Sequence, residues 1–375
     1  MAQHWLSARR LHGRDECVWC DAQGQVKAAL PLPARGHSFA IDATHRRAVV
    51  FGRQPGFFAY AFALDGSGVL QPGTLPLPLP NGHHFYGHGV FAPDGHTLYA
   101  TENDHARARG VIGVYDARPG RGFARIGGFD SAGMGPHEIV LMPDGQTLCV
   151  ANGGMQTHPD FGKTILNRAT MRPSLAYLNR HDGRVLAVHT LQAALTGPQA
   201  AVPLGADAWR HLSIRHLAVD GLGQVWAGCQ YVNADGQRPP LLWRHGCHPC
   251  GHDLQAVACP PEAQRAMRNY VGSVAVNAAG TVIAASSPVG GQVLFWEAGV
   301  SGQPSGHARF LQAFELPDVC GIAPWGAEGF LLSSGHGALV PYEPLGWAQT
   351  SRPSARPPTP PLVLPVAWDN HLRRI

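Results

Sequence analysis

Lysine is almost missing from this sequence: two occur in 375 residues, and charged side chains of every kind make up only 14%. The basic residues are therefore nearly all arginine. They are scattered apart from pairs at 9–10, 46–47 and 373–374, so the long basic run that would track a nucleic-acid backbone is absent. No stretch approaches the roughly 18 to 20 apolar residues that a membrane-spanning helix needs. The opening segment MAQHWLSARR has no apolar core of the kind a secretory signal carries, which points to a cytoplasmic protein, or to a mature or differently started form.

What the sequence does hold is turn formers and histidine. The 46 Gly and 32 Pro make about a fifth of the chain, yet 45% hydrophobic content is ordinary for a packed core, so a folded, turn-rich protein is expected rather than a disordered one. The 21 His can add up to 21 positive charges to the formal +4 below about pH 6. Eight Cys include Cys17-Val-Trp-Cys20 and Cys247-His-Pro-Cys250. These pairs read formally as half of a zinc ribbon or as redox dithiols, and more plainly as hairpin thiols without a role.

Internal repetition fixes the architecture. Short apolar strands, several followed by an Asp-Gly turn, open at His37, His88, His137, His216, Ser273 and Cys320, at steps of 51, 49, 79, 57 and 47 residues. Each is followed by further β-rich strands, such as TLYATEN (97–103), GVIGVYDA (110–117) and FARIGGFD (123–130). Four antiparallel strands per roughly 50 residues describe the blade of a β-propeller. A seventh opening strand is LPVAWDNH (364–371), and HWLSARR, ECVWCDAQG and QVKAALPLP at the other end supply its three partners. The expected fold is thus all-β, a single seven-bladed propeller over 1–375 whose last blade joins both termini, with six blades as the fallback. Such a closure ties down both chain ends. The Pro-rich stretch 352–361 reads as a linker to the closing strand.

In a propeller the inner strand of each blade lines the axis, and the start of the first strand shares a face with the end of the second. That register places His37, His88, His137, His216 and His371 at one mouth of the channel, with Ser273 and Cys320 in the matching positions. Any one such His is more often a hydrogen-bonding turn residue than a ligand. Several in one register around a common axis are a candidate transition-metal site, because neutral imidazole ligates iron, copper, zinc and nickel alike. Arg53, Glu102, Asp104, Asn152, Gln230 and His336 are expected around the same funnel. Glu102 and Glu138 are the preferred partners for orienting imidazole N–H groups. His83 and His84, on what reads as an entry loop, are candidates to extend the cluster. Arg215 and Tyr270 occupy entry segments where an Arg can clamp a carboxylate or phosphate, or merely satisfy loop carbonyls. Trp226, Trp243 and Trp296 read as core.

The segments HHFYGHGVFAPDGHTLYATEND (83–104), GPHEIVLMPDGQTLCVANGG (135–154), LSIRHLAVD (212–220), MRNYVGSVAV (267–276) and AWDNHL (367–372) resemble those of a bacterial family of unknown function, over about residues 30 to 372. The resemblance implies a periplasmic seven-bladed propeller, typically encoded beside imelysin-like and dihaem oxidoreductase-like proteins in iron-uptake clusters. Members usually begin with an export signal, from which this sequence departs. The family lends no catalytic residues. Three functions follow as expectations: binding of iron or copper, with zinc possible, at the His-lined mouth as an accessory of metal uptake, with release on protonation below about pH 6; a lactonase- or cyclase-like enzyme using an axial His as base and Arg53 or Arg215 as anion clamp; or a scaffold for the iron-uptake partners.

Overall fold

A computed structural model describes residues 3–64, 75–196, 207–246, 254–298, 308–344 and 362–375. The proposed linker 352–361 and the pair Cys247 and Cys250 lie outside these residues.

Seven four-stranded antiparallel sheets form a ring, so the count is seven and not six. The inner strands, blade one to blade seven, are Gly36–Asp42, His83–Phe91, Pro136–Leu141, Leu212–Val219, Ser273–Val276, Val319–Trp325 and Ala367–Arg374. Helix is confined to short pieces such as Gln192–Thr196 and Pro261–Ala266. Blade seven runs Ala367–Arg374, His4–Leu11, Arg14–Asp21, Val26–Pro31, which joins the two ends of the chain as expected.

Burial follows position in the blade. Second strands such as Thr147–Asn152 and Val282–Ser287 are buried at every residue, because neighbouring blades cover both faces, and their sequences are accordingly near-continuous apolar runs. Fourth strands such as Ala124–Asp130 alternate exposed and half-buried, the period of two of a sheet with one wet face. The hairpins between first and second strands use the expected turn chemistry: Gly95 takes φ 70°, and Asp94 Oδ1 accepts from the His96 N–H at 2.9 Å.

Large indoles fill the seams, and five of them find an acceptor for the N–H, while that of Trp19 has none among the described residues. Trp226 donates to Asp220 at 2.9 Å, Trp243 to the Pro240 carbonyl at 2.9 Å and Trp296 to the Ala258 carbonyl at 2.9 Å. In the closing blade Trp368 donates to the Gly337 carbonyl at 3.3 Å, and Trp5 to the Pro324 carbonyl at 3.2 Å. Both closing indoles are buried and tie the terminal blade to blade six. Replacing Trp368 with Ala is expected to lower unfolding free energy by about 3–5 kcal/mol. Urea titration checks this, and a loss under about 1 kcal/mol would show that the closure depends on other contacts.

Cys17 and Cys20 are buried free thiols on one strand. Three residues apart on a strand, they point to opposite faces and join different apolar clusters. Burial raises both, Cys20 to about 12, so they are neutral core thiols and neither a dithiol pair nor half a zinc ribbon.

Candidate metal centre

A regular strand sends alternate side chains to opposite faces, so one residue in two can reach the axis. The inner strands break that rule at the site. Register against the second strand slips by one residue in blades one, three, four and six, and by two in blades two and seven. The extra residues fall at His37–Ser38, Tyr86–His88, His137, Arg215, Cys320–Gly321 and Asp369–His371. Blade five, with Ser273 opposite Ser286, stays in register. A bulge bends the strand and re-aims its side chains. Neighbours in sequence, such as His137 with Glu138 and Arg215 with His216, therefore converge instead of diverging.

The five axial imidazoles form a closed ring in blade order. Successive centroids lie 4.6 Å apart for His371 and His37, 4.9 Å for His37 and His88, 5.4 Å for His88 and His137, 4.8 Å for His137 and His216, and 5.3 Å for His216 and His371. All five are buried, with exposures of 5% or less. Two overlapping triplets, His37/His88/His371 and His88/His137/His216, each bring three ring nitrogens within 4.8 Å of one another. Gly87 makes room for this packing: it holds φ 106°, and a Cβ there would meet the His37 ring at 2.5 Å.

Each ring carries a buried nitrogen with no hydrogen-bond partner among the described residues: Nδ1 of His37 and His137, Nε2 of His88, His216 and His371. Buried polar atoms are normally paired, so five orphans in one cluster are unusual. Glu138 explains the orientation of two rings. Its carboxylate lies 3.5 Å from His88 Nδ1 and 3.3 Å from His216 Nδ1, which leaves the Nε2 atoms of both as the unpartnered pair. Glu138 also accepts from the Leu217 N–H at 3.2 Å and from Arg373 at 2.8 Å. Burial opposes its charge, but His88, His216 and Arg373 outweigh that and hold it well below the usual carboxylate range.

Burial, reinforced by neighbouring charge, depresses His37, His137, His216 and His371. His37, His137 and His371 fall well below the ordinary value, with Arg215 the next cause at His137. His216 is lowered by burial to about 4 despite the opposing pull of Glu138. For these four rings this corrects the expectation that acidification below about pH 6 protonates them. They stay neutral further down, because an imidazolium at any of them would be both desolvated and among like charges.

Other residues singled out in the sequence go elsewhere. Glu102 does not reach the axial rings: it is bound within blade two by His83 at 2.9 Å, Tyr115 at 2.7 Å and Arg125 at 2.9 Å, a network drawing one side chain from each strand. Asp104 accepts from Arg109 at 3.0 Å and Arg107 at 3.2 Å. His83 and His84 lie on the inner strand and not on a loop, and His84 is engaged by the Phe85 carbonyl and Asn103, both at 3.0 Å. Asn152 ties the entry to blade three through the Ser131 carbonyl at 2.9 Å. The Cys320 thiol donates to the Asp369 carbonyl at 3.2 Å and is raised by burial to about 12, so it is a structural donor. His336 is exposed on a turn, and Ser273 is buried at the edge of blade five. Arg53 lies 4.0 Å from Asp369, and Arg215 donates to Gln230.

Two residues that sequence reasoning missed belong to the site. Asp369, bound by Arg35, sits 3.6 Å from His37 Nδ1, beyond hydrogen-bond reach. Arg373 crosses from blade seven to Glu138 and to Ser38, the latter at 3.3 Å. Their signal was position: both flank His371 at even spacing on the same strand. Replacing Glu138 with Gln is expected to weaken metal binding roughly ten- to hundred-fold, the usual cost of losing a carboxylate that orients ligating imidazoles. Competition against a chelator of known affinity measures it, and wild-type affinity in the variant would assign Glu138 a structural role alone.

No curated protein matches the sequence. The fold is similar to the periplasmic gluconolactonase of Pseudomonas aeruginosa, at 15% identity and TM-score 0.59 over 100% of this chain and 99% of that one. It is likewise similar to hydrazine synthase of Kuenenia stuttgartiensis, at 11% identity and TM-score 0.59 over 85% and 86%. Likeness at such identity speaks for the propeller alone. The model of the family described as protein of unknown function, DUF1513, matches residues 30–375, and the chain belongs to that family.

Proposed function

We propose that the protein binds a transition-metal ion at the axial imidazoles His37, His88, His137, His216 and His371, as an accessory of metal acquisition. One observation carries the reading: five buried rings packed into one cluster each carry an unpartnered nitrogen, two overlapping triplets of them bring ring nitrogens within 4.8 Å of one another, and Glu138 holds His88 and His216 by their Nδ1 atoms. An all-imidazole donor set suits iron, copper and zinc, and iron or copper is the assignment proposed. Neutral rings are what ligation needs, and burial favours the neutral form of His37, His137, His216 and His371. A periplasmic location and imelysin-like or dihaem oxidoreductase-like partners extend the proposal on the family resemblance.

The test is elemental analysis of protein prepared without a His tag, before and after dialysis against each metal. The expected result is about one ion per chain that survives dialysis. Protein that retains none, from cells grown with iron and copper and after reloading, would sink the proposal.

A further inference from the structure

Beside the imidazoles stands a cation that the metal reading does not use. Arg215 is the extra residue of the blade-four bulge, and its guanidinium donates through Nη1 to Gln230. Its Nε–H is buried with no hydrogen-bond partner among the described residues, and no carboxylate there lies within ion-pair distance of it. The acidic groups nearest the axis are already engaged: Asp369 by Arg35 and Glu138 by Arg373. Arg53 lies 4.0 Å from Asp369, which stands 3.6 Å from His37, so a second guanidinium belongs to the same mouth, and burial together with its charge depresses Arg215. Tyr270, which accepts from Asn370 at 3.5 Å, and Tyr86 are the phenols that bear on Arg215. The Arg215 side chain is only partly buried, but its Nε–H is fully so, and a buried N–H left without a partner is costly.

We propose that this mouth binds a small organic carboxylate, held on the Nε edge of Arg215 with Arg53 opposite, next to the unpartnered Nδ1 of His137. The Nε edge of a guanidinium presents parallel N–H groups, which match the two oxygens of a planar carboxylate better than a tetrahedral anion. A carboxylate seated there lies against the imidazole ring cluster, so it is a candidate companion ligand for an ion bound by those rings. Binding itself does not rest on the metal proposal, because the cationic edge is present without an ion.

The experiment titrates malonate, inorganic phosphate and chloride into metal-free protein that has been dialysed free of chelator, by calorimetry and thermal shift. Malonate is expected to bind with a raised melting temperature, and Arg215→Met to weaken it roughly ten- to hundred-fold, the loss expected for charge-assisted hydrogen bonds. Arg215→Met is also expected to fold and melt no lower than wild type in the absence of anion, since it removes a buried N–H that has no partner. Arg215→Lys keeps the charge without the fork and is expected to restore only part of the affinity. Undetectable malonate binding, equal binding by Arg215→Met, or phosphate bound as tightly as malonate would each overturn the inference. Reloading a portion of the same wild-type protein with iron and with copper keeps the two readings apart: malonate binding with no ion retained after reloading sinks the metal proposal alone, and a retained ion without malonate binding sinks this one alone.

Discussion

Replacing His88 with Ala is expected to abolish tight metal binding, whereas Ala at His181, exposed on a turn, leaves it unchanged. His88 is the ring common to both triplets, so its loss leaves no set of three converging nitrogens. Removing His371 spares His88/His137/His216, and removing His216 spares His37/His88/His371, so both are expected to do less damage. Imidazole and thiolate sites release about 10–16 kcal/mol on binding, so one ligand of about four is worth roughly 3 kcal/mol, or about a hundred-fold in Kd. Chelator competition gives the affinity and elemental analysis the stoichiometry. His88→Gln serves beside His88→Ala, because it fills more of the vacated volume and separates lost ligation from lost packing. Wild-type affinity in both variants would place the ion elsewhere or nowhere.

The ring of blades was legible because each opening strand is marked twice: by a polar residue at its start and by a turn after its apolar run. Closure was legible because WLSARR and AWDNHL are strands in need of partners, and only each other's ends were left. The axial His were legible for the same reason, since they occupy the marked position. What the sequence concealed was the bulges. Strict alternation forbids both His137 and Glu138, or both Arg215 and His216, from facing the axis, yet the slipped registers bring all four there. Glu102 misled for the opposite reason. It stands at the expected end of a second strand, but its register against the third strand is unbroken, and its carboxylate stays among Tyr115, Arg125 and His83. The Gly residues near the site were likewise ambiguous: Gly87 resembles the turn glycines in sequence, and only the proximity of the His37 ring distinguishes it. The channel's chemistry is thus specified less by which residues open the strands than by where one extra residue is inserted.

Metal-free protein is expected to lose much of its stability as pH falls from 6.5 to about 4. In the unfolded chain an imidazole titrates near 6.5. In the folded protein burial lowers His216 and His84 to about 4, and His37, His137 and His371 lie well below the ordinary value. Between those limits the unfolded state binds more protons, so stability rises with pH. Above 6.5 both states hold neutral rings and nothing changes. Displacement from 6.5 to about 4 amounts to roughly 3 kcal/mol for a buried imidazole, and two such groups already rival the roughly 5–15 kcal/mol of a typical domain. Glu138 acts in the same direction at lower pH: its depressed value adds stability above about 4.5 that is lost as the carboxylate protonates. The positive charge of Arg53 beside His37, and of Arg215 beside His137 and His216, adds to the cost of an imidazolium there. Urea midpoints at pH 7.5, 6.5, 5.5 and 4.5 read this out, with a plateau expected above 6.5 and a steep fall below. A flat profile down to 4.5 would mean that the rings are solvated. The same burial fixes how an ion responds to acid. A surface His cluster gives up its metal as its rings protonate near 6.5, while His37, His137, His216 and His371 are held below that value, so stabilisation by added metal should persist at pH 5.5 and fail only as the protein itself unfolds.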